Sequence, residues 1–240
     1  MRLHESPGGA SFGGLRLAAV AVAATAAAAV APPATAAAVG RRTNVVAQVR
    51  TPTVAVYAYP GARRPFRRFG RRTSDGQPRV FLVAQRLPGW ERVYLPIRPN
   101  GTTGWVRDRQ VSLAVDPYRV VVSRRRHRVT VYRYGRRILR TRAGVGRSVM
   151  PTPRGTYFVV ELLRQPNRRG AYGPYAFGLS AFSDVLYRFG GGPGQIGLHG
   201  TDYPAGLGTD VSHGCIRVSN AVITRLAHLL PLGTPVQIER

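Results

Sequence analysis

The sequence predicts a mainly β protein in two parts, a small barrel followed by a second β domain, with one short helix close to the C-terminus. Three observations carry this. Apolar residues recur at every second position in short runs bounded by Gly, Pro and Asn, the period of half-buried strands. The 3.6-residue spacing of a helix is convincing only between Ser219 and Leu230. Asp116-Pro117 separates two such strand-rich stretches and reads as a linker.

Taken in order, Val54 and Val56 alternate with Ala55 and Tyr57, and Val80 to Ala84 is a compact apolar run. Pro88-Gly89 turns the chain into Trp90 to Leu95, and Asn100-Gly101 is a hairpin signal ahead of Gly104-Trp105-Val106. Five or so short strands between residues 45 and 113 predict a small barrel. Beyond the linker, Arg119 to Ser123 and Arg128 to Tyr132 form a hairpin around an arginine-rich turn, and Gly135 leads into Arg137 to Arg140. Thr156 to Glu161, Gln195 to Leu198 and Pro235 to Ile238 are further strands. Ser219 is a suitable helix cap, Val222, Ile223, Leu226, Leu229 and Leu230 share one face, and Pro231 ends the run. The stretch Arg164 to Gly194, rich in Gly, Pro and aromatics, reads as a loop, either a lid over the site, with Tyr175 as its contact residue, or a packed surface segment.

Residues 1–39 have the character of a leader. Arg2 and Arg16 precede an apolar run of 15 residues, Leu17 to Ala31, and small residues follow in an A-x-A pattern. The run is short and alanine-weak for a permanent span, so an uncleaved anchor is the alternative to a cleaved secretory signal. Either way the chain is expected to work outside the cytoplasmic membrane, in the periplasm or cell wall. The chain has 240 residues, 36 basic against 10 acidic, with every basic residue an arginine, and a net charge of +26. Residues 41–113 carry +12 and residues 114–240 carry +13, so the charge is spread rather than gathered in one groove. For an exported protein that favours anionic wall polymers as partners. The doublets Arg63-Arg64, Arg67-Arg68 and Arg71-Arg72 lie beside Phe66 and Phe69, but no stacking motif for nucleic acid accompanies them.

One cysteine, Cys215, rules out an internal disulfide and a multi-thiolate metal site. It lies in Ser212-His213-Gly214-Cys215-Ile216-Arg217, and His199 ends a strand 16 positions upstream. An unpaired thiol outside the cell is open to oxidation, so its presence between two histidines and two glycines points to use as a nucleophile. A thiol with a pKa of about 8.5 needs a base or a cationic neighbour to react as thiolate at neutral pH. Either His199 or His213 is placed to serve. No carboxylate flanks them, so the Gly200 carbonyl is the candidate orienter. Gly214 permits a tight turn that would aim the Gly214 and Cys215 amides at an oxyanion, and Arg217 can pair with a carboxylate. The parts specify acyl transfer through a thioester, with no metal or organic cofactor required.

Two resemblances sharpen this. Gly89 to Pro96, Arg98 to Gly101 and Gly104-Trp105-Val106 resemble bacterial SH3-like domains attached to wall enzymes, which implies a binding or spacing module; Trp90 and Trp105 serve either that or the core. His199-Gly200-Thr201 and the Ser212 to Arg217 block, supported by Pro151 to Tyr157, resemble the L,D-transpeptidase (YkuD-type) catalytic domain. That resemblance spans 118–240 and implies a β-sandwich-like fold with one helix after the cysteine. It also implies Cys215 as nucleophile, His199 as base, Gly200 as its orienter, and Ser212, His213 and Arg217 along the substrate groove. The implied reaction joins two peptidoglycan stem peptides: a tetrapeptide donor loses its terminal D-alanine and a 3→3 cross-link forms, with carbapenems as acylating inhibitors. Hydrolysis of the same thioester, as a carboxypeptidase or amidase, and a non-catalytic wall-binding role are the competing expectations.

Overall fold

The structure is a computed structural model and describes residues 43–240. The expected leader, residues 1–39, lies outside the described residues. In chain order the elements are β1 (Asn44–Val49), β2 (Thr53–Val56), β3 (Arg67–Gly70), β4 (Val80–Leu87), β5 (Trp90–Tyr94), β6 (Thr103–Arg107), β7 (Val111–Asp116), β8 (Tyr118–Ser123) and β9 (Arg128–Arg133). They continue with β10 (Arg136–Arg142), β11 (Val145–Gly146), β12 (Gly155–Arg164), β13 (Tyr175–Phe182), β14 (Gln195–His199), β15 (Asp210–Ser212), β16 (Ile216–Arg217), α1 (Asn220–Ala227) and β17 (Pro235–Glu239). The mainly β expectation with a single helix therefore holds among the described residues. None of their helices is long and apolar enough to cross a membrane.

The first five-stranded sheet is antiparallel throughout, in the order β6-β5-β4-β1-β7. The ribbon β2-β3 joins it through a bridge between Tyr57 and Trp105. The second sheet has eight strands in the order β10-β9-β8-β17-β12-β13-β14-β16, parallel at β8-β17 and β14-β16 and antiparallel elsewhere. Val120, Val122, Val129 and Val131 alternate inward from β8 and β9, where they meet Phe177, Leu179, Ile196, Leu198 and the buried helix residues Ile223 and Leu226.

Strand β12 explains why Tyr157 to Val160 is apolar without alternation. Tyr157 and Val159 enter the core of the eight-stranded sheet, while Phe158 and Val160 enter the core of the five-stranded one. A strand covered on both faces loses the polar half of its pattern. The junction at Asp116-Pro117 is likewise built in. Asp116 is buried, its Oδ1 accepting from the Tyr118 amide at 2.8 Å and its Oδ2 from Thr234 Oγ1 at 2.7 Å. Burial raises its pKa above the ordinary carboxylate value.

Helix α1 starts where the cap places it. Ser219 Oγ accepts from the Val222 amide at 3.3 Å, and the regular helix ends at Ala227, with Leu230 still bonded to the Leu226 carbonyl before Pro231. Ser219→Ala is expected to lower stability by about 1 kcal/mol, the usual cost of a lost N-cap, measured by urea denaturation with an unchanged m-value.

Candidate active site

The site is assembled by the parallel pairing of β14 with β16. Leu198 lies opposite Ile216 and His199 opposite Arg217, so Gly197 falls opposite Cys215. Opposed residues of a parallel pair project to the same face, and alternate residues of one strand share it. Gly197, His199, Cys215 and Arg217 therefore share one face. The Gly197 amide donates to Cys215 Sγ at 3.3 Å. A Cβ on Gly197 would lie 3.5 Å from His199 Cδ2 and 3.8 Å from Cys215 Sγ, so ring and sulfur border the same small space. A glycine inside a strand marks such a close approach, and that is the signal by which position 197, not singled out from the sequence, could have been found.

His199 is 3% exposed, and its Nδ1 donates to the Gly200 carbonyl at 2.6 Å. That bond fixes the tautomer and leaves Nε2 with its lone pair. Gly200 is itself wedged: a side chain there would strike Asn220 Oδ1 and the Gly173 backbone. Asn220, the first residue of α1, accepts from the Thr201 amide at 2.8 Å. The helix after the cysteine thus holds the turn that orients the histidine.

Burial drives the His199 pKa down to about 4, helped by the Arg217 charge and opposed by the Gly200 bond. Burial also pushes the Cys215 thiol above its ordinary value, against the Gly197 N–H and Arg217, which favour thiolate. Both shifts favour the neutral forms, thiol and imidazole, over an ion pair.

The other residues singled out in the sequence are placed with more variety. Gly214 has φ +120°, the left-handed freedom its turn requires, but its amide donates to Ser212 Oγ at 3.1 Å and so is already engaged. Of the two expected oxyanion donors, only the Cys215 amide remains a candidate. Ser212 is buried, and its Oγ also donates to the Cys215 carbonyl at 2.6 Å, so it braces the cysteine turn from within. His213 Nε2 accepts from Arg147 Nη2 at 2.7 Å, and its ring lies 5.3 Å from that of Phe189. Its Nε2 is thereby occupied by a guanidinium. Arg217 Nε is buried without a hydrogen-bond partner.

Tyr175 does not reach the site. The expected long loop from Arg164 to Gly194 is divided by β13, because Tyr175 to Phe182 supplies an interior strand, and the Tyr175 ring faces His228 at 6.1 Å. The aromatic residues that border Cys215 in both depressions are Tyr172, whose ring is 4.8 Å from that of His199, and Phe189. Two adjoining depressions meet there, about 280 Å³ and 170 Å³, and share Tyr172, Phe189, His199 and Cys215. Glu161, Gln165 and Gln195 line the larger; His213 and Arg217 line the smaller.

Residues 117–238 match the YkuD family, described as the L,D-transpeptidase catalytic domain. The chain is 35% identical over 122 residues to the YkuD protein of Bacillus licheniformis, covering 51% of this chain and 66% of that relative's length. It is 33% identical over 124 residues to that of Bacillus subtilis, covering 52% and 67%. Among solved structures it is similar to an L,D-transpeptidase from Mycobacterium smegmatis, with 18% identity, a TM-score of 0.43, and coverage of 65% of this chain and 80% of the other. It is also similar to L,D-transpeptidase 3 from Mycobacterium tuberculosis in complex with a faropenem-derived adduct, with 19% identity, a TM-score of 0.43, and coverage of 60% and 76%.

Proposed function

The chain belongs to the YkuD family of L,D-transpeptidase catalytic domains, and from that membership we propose that it is a cysteine acyltransferase that forms 3→3 cross-links between peptidoglycan stem peptides. The observation that carries the reading is the shared face of β14 and β16, on which a tautomer-fixed histidine and a thiol border one space open to two depressions.

In this mechanism the Cys215 sulfur attacks the carbonyl carbon of the third residue of a tetrapeptide stem while His199 Nε2 takes the thiol proton. The C–S bond forms, and the carbonyl oxygen, now an anion, faces the Cys215 amide. Collapse breaks the bond to D-alanine, whose amine leaves with the proton from His199. The side-chain amine of a second stem then attacks the thioester, gives its proton to His199, and the C–S bond breaks, returning the thiol. A resting neutral pair suits this sequence, because a general base active in the transition state must begin unprotonated. Arg217, with a buried donor lacking a partner, supplies a charge for a stem carboxylate. Two depressions meeting at the sulfur give separate seats to donor and acceptor, which favours transfer over hydrolysis. The five-stranded sheet is read as the SH3-like module. An arginine-walled depression of about 530 Å³, with Arg125, Arg126, Arg128, Arg137, Arg140 and Arg240, supports anionic wall polymers as partners of an exported protein.

Tetrapeptide muropeptides incubated with the purified protein are expected to yield cross-linked dimers with release of D-alanine, read by mass spectrometry. Tripeptide alone would indicate hydrolysis, and no product would remove the enzymatic reading. His199 must be neutral to act, and its pKa lies near 4, below the ordinary value of 6.5. Activity is therefore retained as pH falls through 6 and is lost only toward about 4. An acid limb of kcat/KM centred near 6.5 would contradict the burial argument.

A further inference from the structure

The loop between β13 and β14 is held from the other sheet. Its base is closed by the Ser183 amide on the Gly194 carbonyl at 2.8 Å, and its tip by reciprocal bonds between Phe189 and Gly192 at 3.0 Å. Between base and tip, Arg98 from the β5-β6 connection gathers both limbs. Its Nη1 donates to Ser183 O at 2.5 Å, and its Nη2 to Leu186 O at 3.0 Å and to Pro193 O at 3.1 Å. The guanidinium also lies over the rings of Phe182 at 5.1 Å and Tyr187 at 4.7 Å. Two residues on, Asn100 meets the last residue of β13 as a neighbouring strand would. Its Oδ1 accepts from the Phe182 amide at 2.9 Å, and its Nδ2 donates to Phe182 O at 2.7 Å and Asp184 Oδ1 at 2.9 Å. The loop carries Phe189, which is 44% exposed, stacks on His213 and borders both depressions at Cys215. A side chain that exposed has its position set by the loop that carries it.

We propose that Arg98 and Asn100 are positioning residues for the reaction, holding the 183–194 loop so that Phe189 walls the cleft over Cys215. The proposal deepens the acyl-transfer reading and rests on it. The five-stranded module is then part of how the cleft is made, not only a spacer. A planar guanidinium matches three carbonyls from two limbs; an ammonium does not reproduce that geometry.

The test compares wild type, Arg98→Ala, Arg98→Lys, Asn100→Ala, Phe189→Ala and the Arg98→Ala/Phe189→Ala double variant. Arg98→Ala is expected to raise KM for the tetrapeptide donor about tenfold, equivalent to about 1.4 kcal/mol, with kcat within about twofold. Arg98→Lys is expected not to rescue, and Asn100→Ala to show a smaller rise of the same kind. If Arg98 acts through Phe189, the double variant is little worse than Phe189→Ala alone. Hydrogen exchange of amides 185–192 and the rate of Cys215 alkylation by N-benzylmaleimide relative to iodoacetamide read the same wall without any wall substrate. These two should rise in Arg98→Ala, while exchange in β14 stays unchanged. A wild type that turns over no stem peptide defeats the transferase reading, and the exchange and alkylation arms still decide the positioning role. Unchanged loop exchange and alkylation, additive effects in the double variant, or a loss fully accounted for by a lower folded fraction would overturn it. Should Arg98→Ala not fold, Arg98→Lys and Asn100→Ala carry the same readouts.

Discussion

Cys215→Ala is expected to abolish the mass increment that the wild-type protein gains on incubation with a carbapenem, and to lower turnover of stem peptides on the order of 10⁴-fold or more, the scale of losing a nucleophile. Cys215→Ser should be nearly as inactive. A hydroxyl still accepts the Gly197 N–H that reaches the sulfur at 3.3 Å, so the turn keeps its bond and the loss reports chemistry, not unfolding. The alcohol fails because its proton is far harder to remove, and the neutral His199, with a pKa near 4, is a weak base. A polarizable sulfur is intrinsically the stronger nucleophile and asks less of this ring, although burial raises the thiol's own pKa. An adduct that persists in Cys215→Ala would place the reactive group elsewhere and remove the proposed mechanism. Loss of the adduct with an unchanged thermal transition would separate catalysis from stability.

How far the sequence told this in advance depends on the residue. The strands of β8, β9 and β14 and the Ser219 cap were legible because they follow local rules: alternation, a turn glycine, a side-chain oxygen ahead of an apolar face. The pairing of His199 with the Gly200 carbonyl was also legible, since it spans one residue. What escaped is non-local. Tyr157 to Val160 is apolar on both faces because two different cores meet on β12, and nothing within the strand announces the second core. The 164–194 stretch reads as either a lid with Tyr175 over the thiol or a packed surface segment, yet β13 begins at Tyr175, drawing it into the sheet and leaving Tyr172 and Phe189 to border the cleft. Gly214 has the backbone freedom expected of it. Its amide is nevertheless engaged by Ser212, a competition visible only once both atoms have coordinates. Arg98 was one arginine among 36, and its convergence on three carbonyls some 85 to 95 positions away leaves no trace in local pattern.

His199→Gln is expected to lower kcat/KM by about 10²–10⁴-fold, the range for removing a general base, while the same change at His213 should cost far less. The two histidines differ in what their nitrogens do. His199 gives Nδ1 to the Gly200 carbonyl and keeps Nε2 for the shared space beside the sulfur. His213 receives the Arg147 guanidinium on Nε2 and lies against Phe189. Drawing a proton onto that nitrogen would require displacing a cation, which disfavours it as a base. Glutamine at 199 can keep the bond to Gly200 through its amide, so the fold around α1 is expected to survive, but it cannot cycle a proton between thiol and leaving amine. The acid limb of the pH profile should disappear with it, since the titrating ring is gone, whereas His213→Gln should leave that limb in place. Full activity in His199→Gln together with loss in His213→Gln would exchange the two roles and make the Arg147 contact a feature of the resting state alone.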